Sequence, residues 1–264
     1  MIGNCIITGD CHAQFSRFKS LGNMPNTAVI ILGDAGINYH LDERDLGAKR
    51  YLAKFLFTFY CVRGNHEARP SGVEGMKLVW DSDVQGEVWM EKEFPNIRYF
   101  QDWGIYYING LRTLVIGGAY SVDKPYRLMN GWKWYANEQL GRKEMDECAR
   151  AATVTKHGFD LVLSHTCPRS LQPTDLFLNC IDQSAVDSTM EDWMDRLGCL
   201  FEWKLWLFGH YHADRIEWPH VEQFYTEMEP LIDIIERWRK YDETGELDWW
   251  LPTSPRMKRL MESE

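Results

Sequence analysis

The sequence has no C-x-x-C pair among its seven cysteines, which are scattered and odd in number. A zinc ribbon or a disulfide scaffold is thereby excluded, and a reducing cytoplasm is the expected location. No run approaches the ~20 apolar residues that a membrane-spanning helix needs. The opening MIGNCIITGD lacks the basic start and long apolar stretch of a signal peptide. Positive charge is also scarce: 29 Lys and Arg stand against 39 Asp and Glu, a net −10. That argues against an anionic membrane or broad nucleic-acid binding, both of which need a positive face. No internal repeat and no low-complexity tract interrupts the chain, which removes solenoid and linker architectures.

What is present suits one large domain. The chain has 264 residues, 45% of them hydrophobic, enough for a sizeable core. Short, near-continuous apolar runs read as buried strands: Cys5–Thr8, Ala28–Leu32, Phe57–Val62, Leu111–Ile116, Leu161–Leu163 and Lys204–Phe208. Helical patterns lie between them, in ERDLGAKRYLAKFLF (Leu46, Lys49, Arg50, Ala53 and Leu56 alternating between faces) and from Gln139 to His157. This alternation predicts an α/β layered fold. Residues 96–117 read as an antiparallel meander of three strands turning at Asn109–Gly110. VEQFYTE reads as a last strand. Leu231, Ile234, Ile235 and Trp238, at i, i+3, i+4 and i+7, predict a C-terminal amphipathic helix. Residues 1–240 are expected to form the domain, and 241–264 a tail packed on it or partly loose.

The residues that come directly after the strands carry the chemistry. CIITGD-C-H yields Asp10 and His12, AVIILGD yields Asp34, and FYCVRGNHE yields Asn65 and His66. DLVLSH yields His165, and WKLWLFGHYH yields His210 and His212. Five apolar runs thus each end in carboxylate, imidazole or amide groups, and five of the eight histidines stand there. In open α/β sheets that edge is where ligands bind. Imidazole nitrogen and carboxylate oxygen suit cations such as Mn, Fe and Zn. A strand-end histidine or a Gly-Asp pair alone is more often a turn residue; five together point to a shared metal site. Two cations held ~3.5–4 Å apart can clamp a phosphoryl group and acidify a water.

The ordered set GD-x-H, GD, GNHE, SH and GH-x-H, spanning residues 9–212, resembles the calcineurin-like metallophosphoesterase superfamily. Its RGNHE form is similar to prokaryotic relatives of Ser/Thr protein phosphatases. The resemblance implies a four-layer α-β-β-α sandwich with the site on top, and two divalent metal ions: Mn, Fe or Zn. It implies that Asp10, His12, Asp34 and His212 hold the first ion. Asp34 would bridge to the second, completed by Asn65, His165 and His210. His66 would protonate the leaving alkoxide, and a metal-bridging hydroxide would attack without a covalent phospho-enzyme. The activity so implied is that of a phosphomonoesterase acting on a phosphorylated small molecule, nucleotide or phosphoprotein. Two other readings stay open: a phosphodiesterase acting on cyclic nucleotides or dinucleoside polyphosphates, and a non-catalytic binding scaffold.

The match has departures. Protein phosphatases of this superfamily read GD-x-x-D-R-G, whereas here GDAGIN puts Ile37 and Asn38 at the second Asp and the Arg. His66 then needs another orienting partner, and the phosphate another cation. Residues 117–139 offer Lys124 and Arg127 as cations, with Tyr120, Tyr126, Trp132 and Trp134 as walls, or they form an ordered surface loop. Arg63 and Arg69 flank GNHE and serve either the phosphate or a carboxylate such as Glu67, which itself reads as a loop brace. CHAQFSR also fits the C-x5-R pattern of cysteine-dependent phosphatases. It lacks the glycines that ease a phosphate cradle, so Cys11 reads as a packed residue.

Overall fold

The computed structural model describes residues 2–22, 24–154, 157–247 and 252–262. In chain order it runs β1 (Asn4–Thr8), β2 (Thr27–Ile31), α1 (Glu43–Leu52), β3 (Thr58–Cys61), β4 (Met76–Asp81), β5 (Gly86–Glu91), β6 (Ile97–Phe100), β7 (Trp103–Ile108) and β8 (Leu111–Ile116). Next come α2 (Lys124–Met129), α3 (Arg142–Val154), β9 (Leu161–Ser164), α4 (Thr189–Gly198), β10 (Trp206–Phe208), β11 (Arg215–Trp218), β12 (Val221–Gln223), β13 (Met228–Pro230), α5 (Leu231–Thr244) and α6 (Pro255–Met261). The strands form two sheets, ordered β13-β1-β2-β3-β6-β5-β4 and β11-β12-β10-β9-β8-β7. Parallel strands make the middle of each: β1, β2, β3 and β6 in the first, β8, β9, β10 and β12 in the second.

Every residue of β2 is buried, because both faces of its sheet are covered. Ala28 and Ile30 meet Ile108, Val115, Leu163 and Leu207 of the other sheet in a central cluster. Val29 and Ile31 point the opposite way, onto Phe15, Phe18 and Leu52. The outer face of the second sheet, with Leu114, Ile116 and Val162, packs on Met145 and Cys148 of α3 and on Met190, Met194 and Leu197 of α4. The order of layers is α-β-β-α, as the resemblance implied. Each such aliphatic side chain stabilises the fold by roughly 1.5–3 kcal/mol when fully buried. Leu231, Ile234 and Trp238 of α5 join the central cluster, with Ile235 half-buried beside them.

Four local expectations are corrected. The meander over 96–117 is split: β6 pairs with β3 and β5 in the first sheet, and only β7 and β8 form the expected hairpin, in the second. The chain changes layer between Phe100 and Trp103, where the Tyr106 hydroxyl accepts from the Gln101 amide at 3.0 Å. Helix α1 stops at Leu52 and leaves Leu56 exposed. The Asn96 amide claims the carbonyls of Leu52 and Phe57 there, at 3.2 and 3.3 Å. VEQFYTE yields only the short β12, and the chain then crosses to β13 at the edge of the first sheet. The helix expected from Gln139 to His157 is Arg142–Val154; Thr155 and Lys156 lie outside the described residues. The β4–β5 hairpin, whose strands MKLVWD and GEVWME are partly exposed, has no counterpart among the strands expected from the sequence.

Residues 252–262 are seated on the domain. The Ser254 amide donates to the Ile216 carbonyl (2.9 Å), and the Ser254 hydroxyl accepts from the Met257 amide (3.0 Å), capping α6. Met257 is fully buried in the central cluster.

Candidate metal centre

The carboxyl ends of β1, β2 and β3 from one sheet and of β9 and β10 from the other open on the same edge of the sandwich. Each turns sharply there. His12, Asp34, His210 and His212 all have positive φ (45°, 44°, 70° and 53°), a region costly for non-glycine residues. Such strain persists only where surrounding contacts hold it, and it concentrates at functional sites. Close approach also demands glycine: a Cβ on Gly64 would lie 1.9 Å from Asp34 Oδ1, and one on Gly33 would lie 1.9 Å from His165 Nδ1.

Two clusters of ligand atoms result, each lying within 4.8 Å: Asp10, His12 and His212, and Asp10, Asp34 and His165. In the first, His12 Nε2 and His212 Nε2 are 3.0 Å apart, and Asp10 Oδ2 is 3.1 Å from the latter. Nitrogens bound tetrahedrally to one cation at ~2.0–2.1 Å would stand roughly 3.3 Å apart, so the pair is already near that spacing. Asp10 belongs to both clusters; Asp34, assigned by resemblance as the bridge, belongs to the second.

The second cluster is oriented by hydrogen bonds. His165 Nδ1 lies 2.8 Å from the Leu32 carbonyl oxygen, which can only accept, so Nδ1 carries the proton and Nε2 a lone pair. That lone pair faces Asn65 Oδ1 at 2.8 Å. The Asn65 Nδ2 group is turned away, donating to Ser121 Oγ at 2.8 Å, while the Ser121 hydroxyl donates to Glu138 Oε2. When Nε2 carries no proton of its own, two acceptors oppose each other there in a buried site. A cation resolves that conflict, so the residues fit a bound metal.

The electrostatics agree. Burial alone would push the Asp10 carboxyl up, but His165, His212 and His12 together hold it below the ordinary carboxylate range. Asp34 is likewise lowered, by His66 and His165 against the cost of burial. Loss of solvation pushes His210 down to about 3, so its ring is neutral and able to offer a lone pair. His210 lies outside both clusters; its amide donates to Asp10 Oδ1 (3.0 Å) and its ring packs on His165 with centroids 4.9 Å apart. Burial, then Arg127, lowers the pKa of His66, against the pull of Asp34.

His66 sits at the rim, its amide donating to Asp34 Oδ1 at 2.9 Å. Arg127 Nη2 lies 3.1 Å from His66 Nε2, Arg127 Nε pairs with Asp123 at 2.8 Å, and Nη1 donates to the Tyr39 hydroxyl at 3.0 Å. Arg127 therefore reaches the site. Arg63 and Arg69 do not: Arg63 is buried against Asp102 and the carbonyls of Gly64 and Glu138, and Arg69 binds Asp102 and Glu144. Both arginines pair with carboxylates, but Glu67 is not among them. Glu67 accepts from the amides of Gly36 and Gly64 and from the Tyr99 hydroxyl, bracing the loops under Asp34 and Asn65. Tyr120 is half-buried and outside the cleft, whereas Lys124 lies over the Trp134 ring at 4.0 Å. Asn38, in the place of the family's arginine, is fully buried.

Sequence reasoning missed Ser121, Glu138 and Tyr39. Ser121 carried a signal, since it stands five residues beyond β8, whose end opens on the same edge. Glu138 carried none, because only the folded loop brings it back beside Ser121. Next to His66 and Asp34 opens a cleft of about 760 Å³, with Tyr39, Arg44, Arg127, Trp132 and Lys133 in its walls.

Residues 4–214 match the family model described as calcineurin-like phosphoesterase. No curated protein matches the chain. Among solved structures, the phosphopantetheinyl hydrolase PptH from Mycobacterium tuberculosis is 13% identical, covering 93% of this chain and 94% of its own, with a TM-score of 0.43. A 5'-nucleotidase precursor from Thermus thermophilus is 14% identical with a TM-score of 0.36; the match covers 82% of this chain but 43% of that one. With the family model spanning most of its length, and the strand-end motifs falling inside the matched span, this chain belongs to the calcineurin-like phosphoesterase family.

Proposed function

We propose that the protein is a two-metal phosphatase that hydrolyses phosphate monoesters. The observation that carries this reading is the convergence of Asn65 Oδ1 and His165 Nε2, at 2.8 Å, beside two buried carboxylates that have imidazoles but no lysine or arginine as ion-pair partners among the described residues. Asp10, His12, Asp34 and His212 would hold one divalent ion (Mn, Fe or Zn), and Asn65, His165 and His210 the other, with Asp34 shared. When bound, the ions supply neutralising charge for the phosphoryl group and an acidified water.

The chain's own residues do the rest. Arg127, aimed at the same rim, donates to the phosphate. His66 gives its proton to the leaving oxygen once Arg127 has turned from Nε2 to the phosphate; Asp34 opposes the burial that otherwise disfavours the charged imidazole. The leaving group enters the cleft next to His66, whose ~760 Å³ far exceeds a phosphate and suits a small organic group, a nucleotide or a phosphorylated side chain. Lys133 in its wall also favours an anionic leaving group, so a nucleotide phosphodiester is the second reading; Arg44 there is paired with Asp42. We place the protein in the cytoplasm, which suits seven unpaired cysteines; among the described residues no helix is long and apolar enough to cross a membrane.

The test is His66→Ala, assayed on p-nitrophenyl phosphate and its bis-ester with metal content measured in parallel. The variant should keep its metal and lose on the order of 10²–10⁴-fold in turnover. Undiminished turnover would remove the acid role. Preference for the bis-ester by the unaltered protein would move the assignment to the diesterase.

A further inference from the structure

We propose that Ser121 and Glu138 are positioning residues that set which end of the Asn65 amide faces the metal; this rests on the two-metal reading above. A side-chain amide has an acceptor end and a donor end of nearly the same shape, and only the oxygen can bind a cation. Something must therefore choose between the two orientations. Here the choice is made by atoms that have no freedom. The Ser121 amide and the Trp134 indole nitrogen can only donate, and they reach Glu138 Oε1 at 3.1 Å and Oε2 at 2.8 Å. In the ionised carboxylate both oxygens of Glu138 are thus acceptors. The Ser121 hydroxyl spends its single proton on Glu138 Oε2, which leaves Oγ as an acceptor. The only end of Asn65 that can satisfy Oγ at 2.8 Å is the NH₂ group. The amide oxygen is thereby turned to His165 Nε2, and the ring is held in place from the other side by its Nδ1 bond to the Leu32 carbonyl.

All four side chains are shut away from water: Asn65 is 2% exposed, Ser121 1%, Glu138 2% and His165 0%. A reversed amide would leave buried groups unpaired, a cost that water cannot relieve. Neither Ser121 nor Glu138 belongs to the ligand clusters, so their action passes through Asn65. Glu138 also closes the base of the 118–138 excursion, its carbonyl accepting from Arg63 Nη1 at 2.8 Å. The arm that carries Arg127 is anchored by the residue that orients the ligand.

Two variants test the chain by different routes. Ser121→Ala removes the acceptor that holds the NH₂ end. Glu138→Gln replaces an all-acceptor group with one that donates, freeing the Ser121 hydroxyl to turn and the Asn65 amide to reverse. Metal-free proteins are titrated with Mn²⁺ alone, and bound metal is counted after desalting. The unaltered protein should bind two ions. Both variants should keep the first and bind the second about 10–100-fold more weakly, the loss typical when a ligand's supporting hydrogen bond goes. Melting in chelator separates positioning from packing: the metal-free melting point should hold while the rise on adding Mn²⁺ shrinks. Ser121→Thr, which keeps the hydroxyl, should restore the second ion. Wild-type affinity in both variants overturns the proposal and leaves the two-metal reading standing, as does a lowered metal-free melting point with unchanged Mn²⁺ binding. Fewer than two ions on the unaltered protein overturns both.

Discussion

Two buried acidic clusters in this molecule are handled in opposite ways. Under α5, Glu222 and Glu229 are shut from solvent, but Arg237 lies between them, 3.6 Å from Glu222 and bonded to Glu229. Trp238 Nε1 adds a donor to Glu222 at 2.7 Å. At the strand ends Asp10 and Asp34 are as deeply buried, yet their ion-pair partners among the described residues are imidazoles. A buried carboxylate costs several kcal/mol unless an opposite charge or donors offset it. Where the chain supplies an arginine, the cluster is structural. Where it supplies imidazoles, which can carry a proton or offer a lone pair, the cluster can exchange protons for a metal cation.

The largest expected effect removes charge from the site. Asp34→Asn should lower occupancy of both ions and cut phosphate release by on the order of 10³–10⁵-fold, about 4–7 kcal/mol of transition-state stabilisation. The metal-free fold should weaken modestly, since His66 and His165 favour the Asp34 carboxylate that is lost. A variant that keeps two full ions, by metal analysis and crystallography, takes the bridging role away from Asp34. Asp10, common to both clusters, would then be the candidate.

Under α5 the converse holds. Arg237→Met leaves Glu222 and Glu229 without their cation and should cost about 3–5 kcal/mol in denaturant unfolding, with metal content per folded molecule unchanged. Loss of metal from folded Arg237→Met would show that the two clusters are not independent.

Glu222 gives the comparison a pH signature. Burial, aided by Glu229 and opposed by Arg237, pushes its carboxyl up to about 8. Between the unfolded value near 4.5 and about 8, the folded chain keeps a proton that the unfolded chain has released. Stability from this group is therefore present at low pH and is lost as pH rises through that window. Glu222→Gln has no such proton to lose, so its stability relative to the unaltered protein should improve from pH 5 to pH 9, by about 2–4 kcal/mol. A pH-independent difference would place the ordinary carboxylate pKa on Glu222.

The smallest effect is expected at Cys11. Burial pushes its thiol up to about 12 even with Arg17 Nη2 at 2.8 Å, so no thiolate forms near neutrality. Cys11→Ser should change turnover by less than about threefold. Near-total loss would revive the cysteine-phosphatase reading of CHAQFSR.

Much of this was legible in the sequence because the signals are local. A strand buried on both faces must be apolar along its length, as Ala28–Ile31 is, and the residues just past its end must lie at the sheet edge. Ligand-type residues in those places, Asp10 through His212, could be read without coordinates. The helix of Leu231, Ile234 and Trp238 was legible for the same reason, its period being a property of the helix itself. The split of residues 96–117 between sheets was not, because pairing of β6 with β3 joins segments far apart in the chain. Nor was the end of α1, which depends on Asn96. Arg63, Arg69 and Arg127 look alike beside their motifs, yet only Arg127 reaches His66, since the other two are claimed by Asp102.

The sequence alone determined which chemical groups stand at the strand ends and that the strands are buried, because burial pattern and residue type are written position by position. Only the tertiary structure decided that Asp10 serves both clusters, that His12 faces His212 across 200 positions of chain, and that Ser121 and Glu138 turn the Asn65 amide. Those are facts of direction and distance between remote segments, set when two sheets pack face to face.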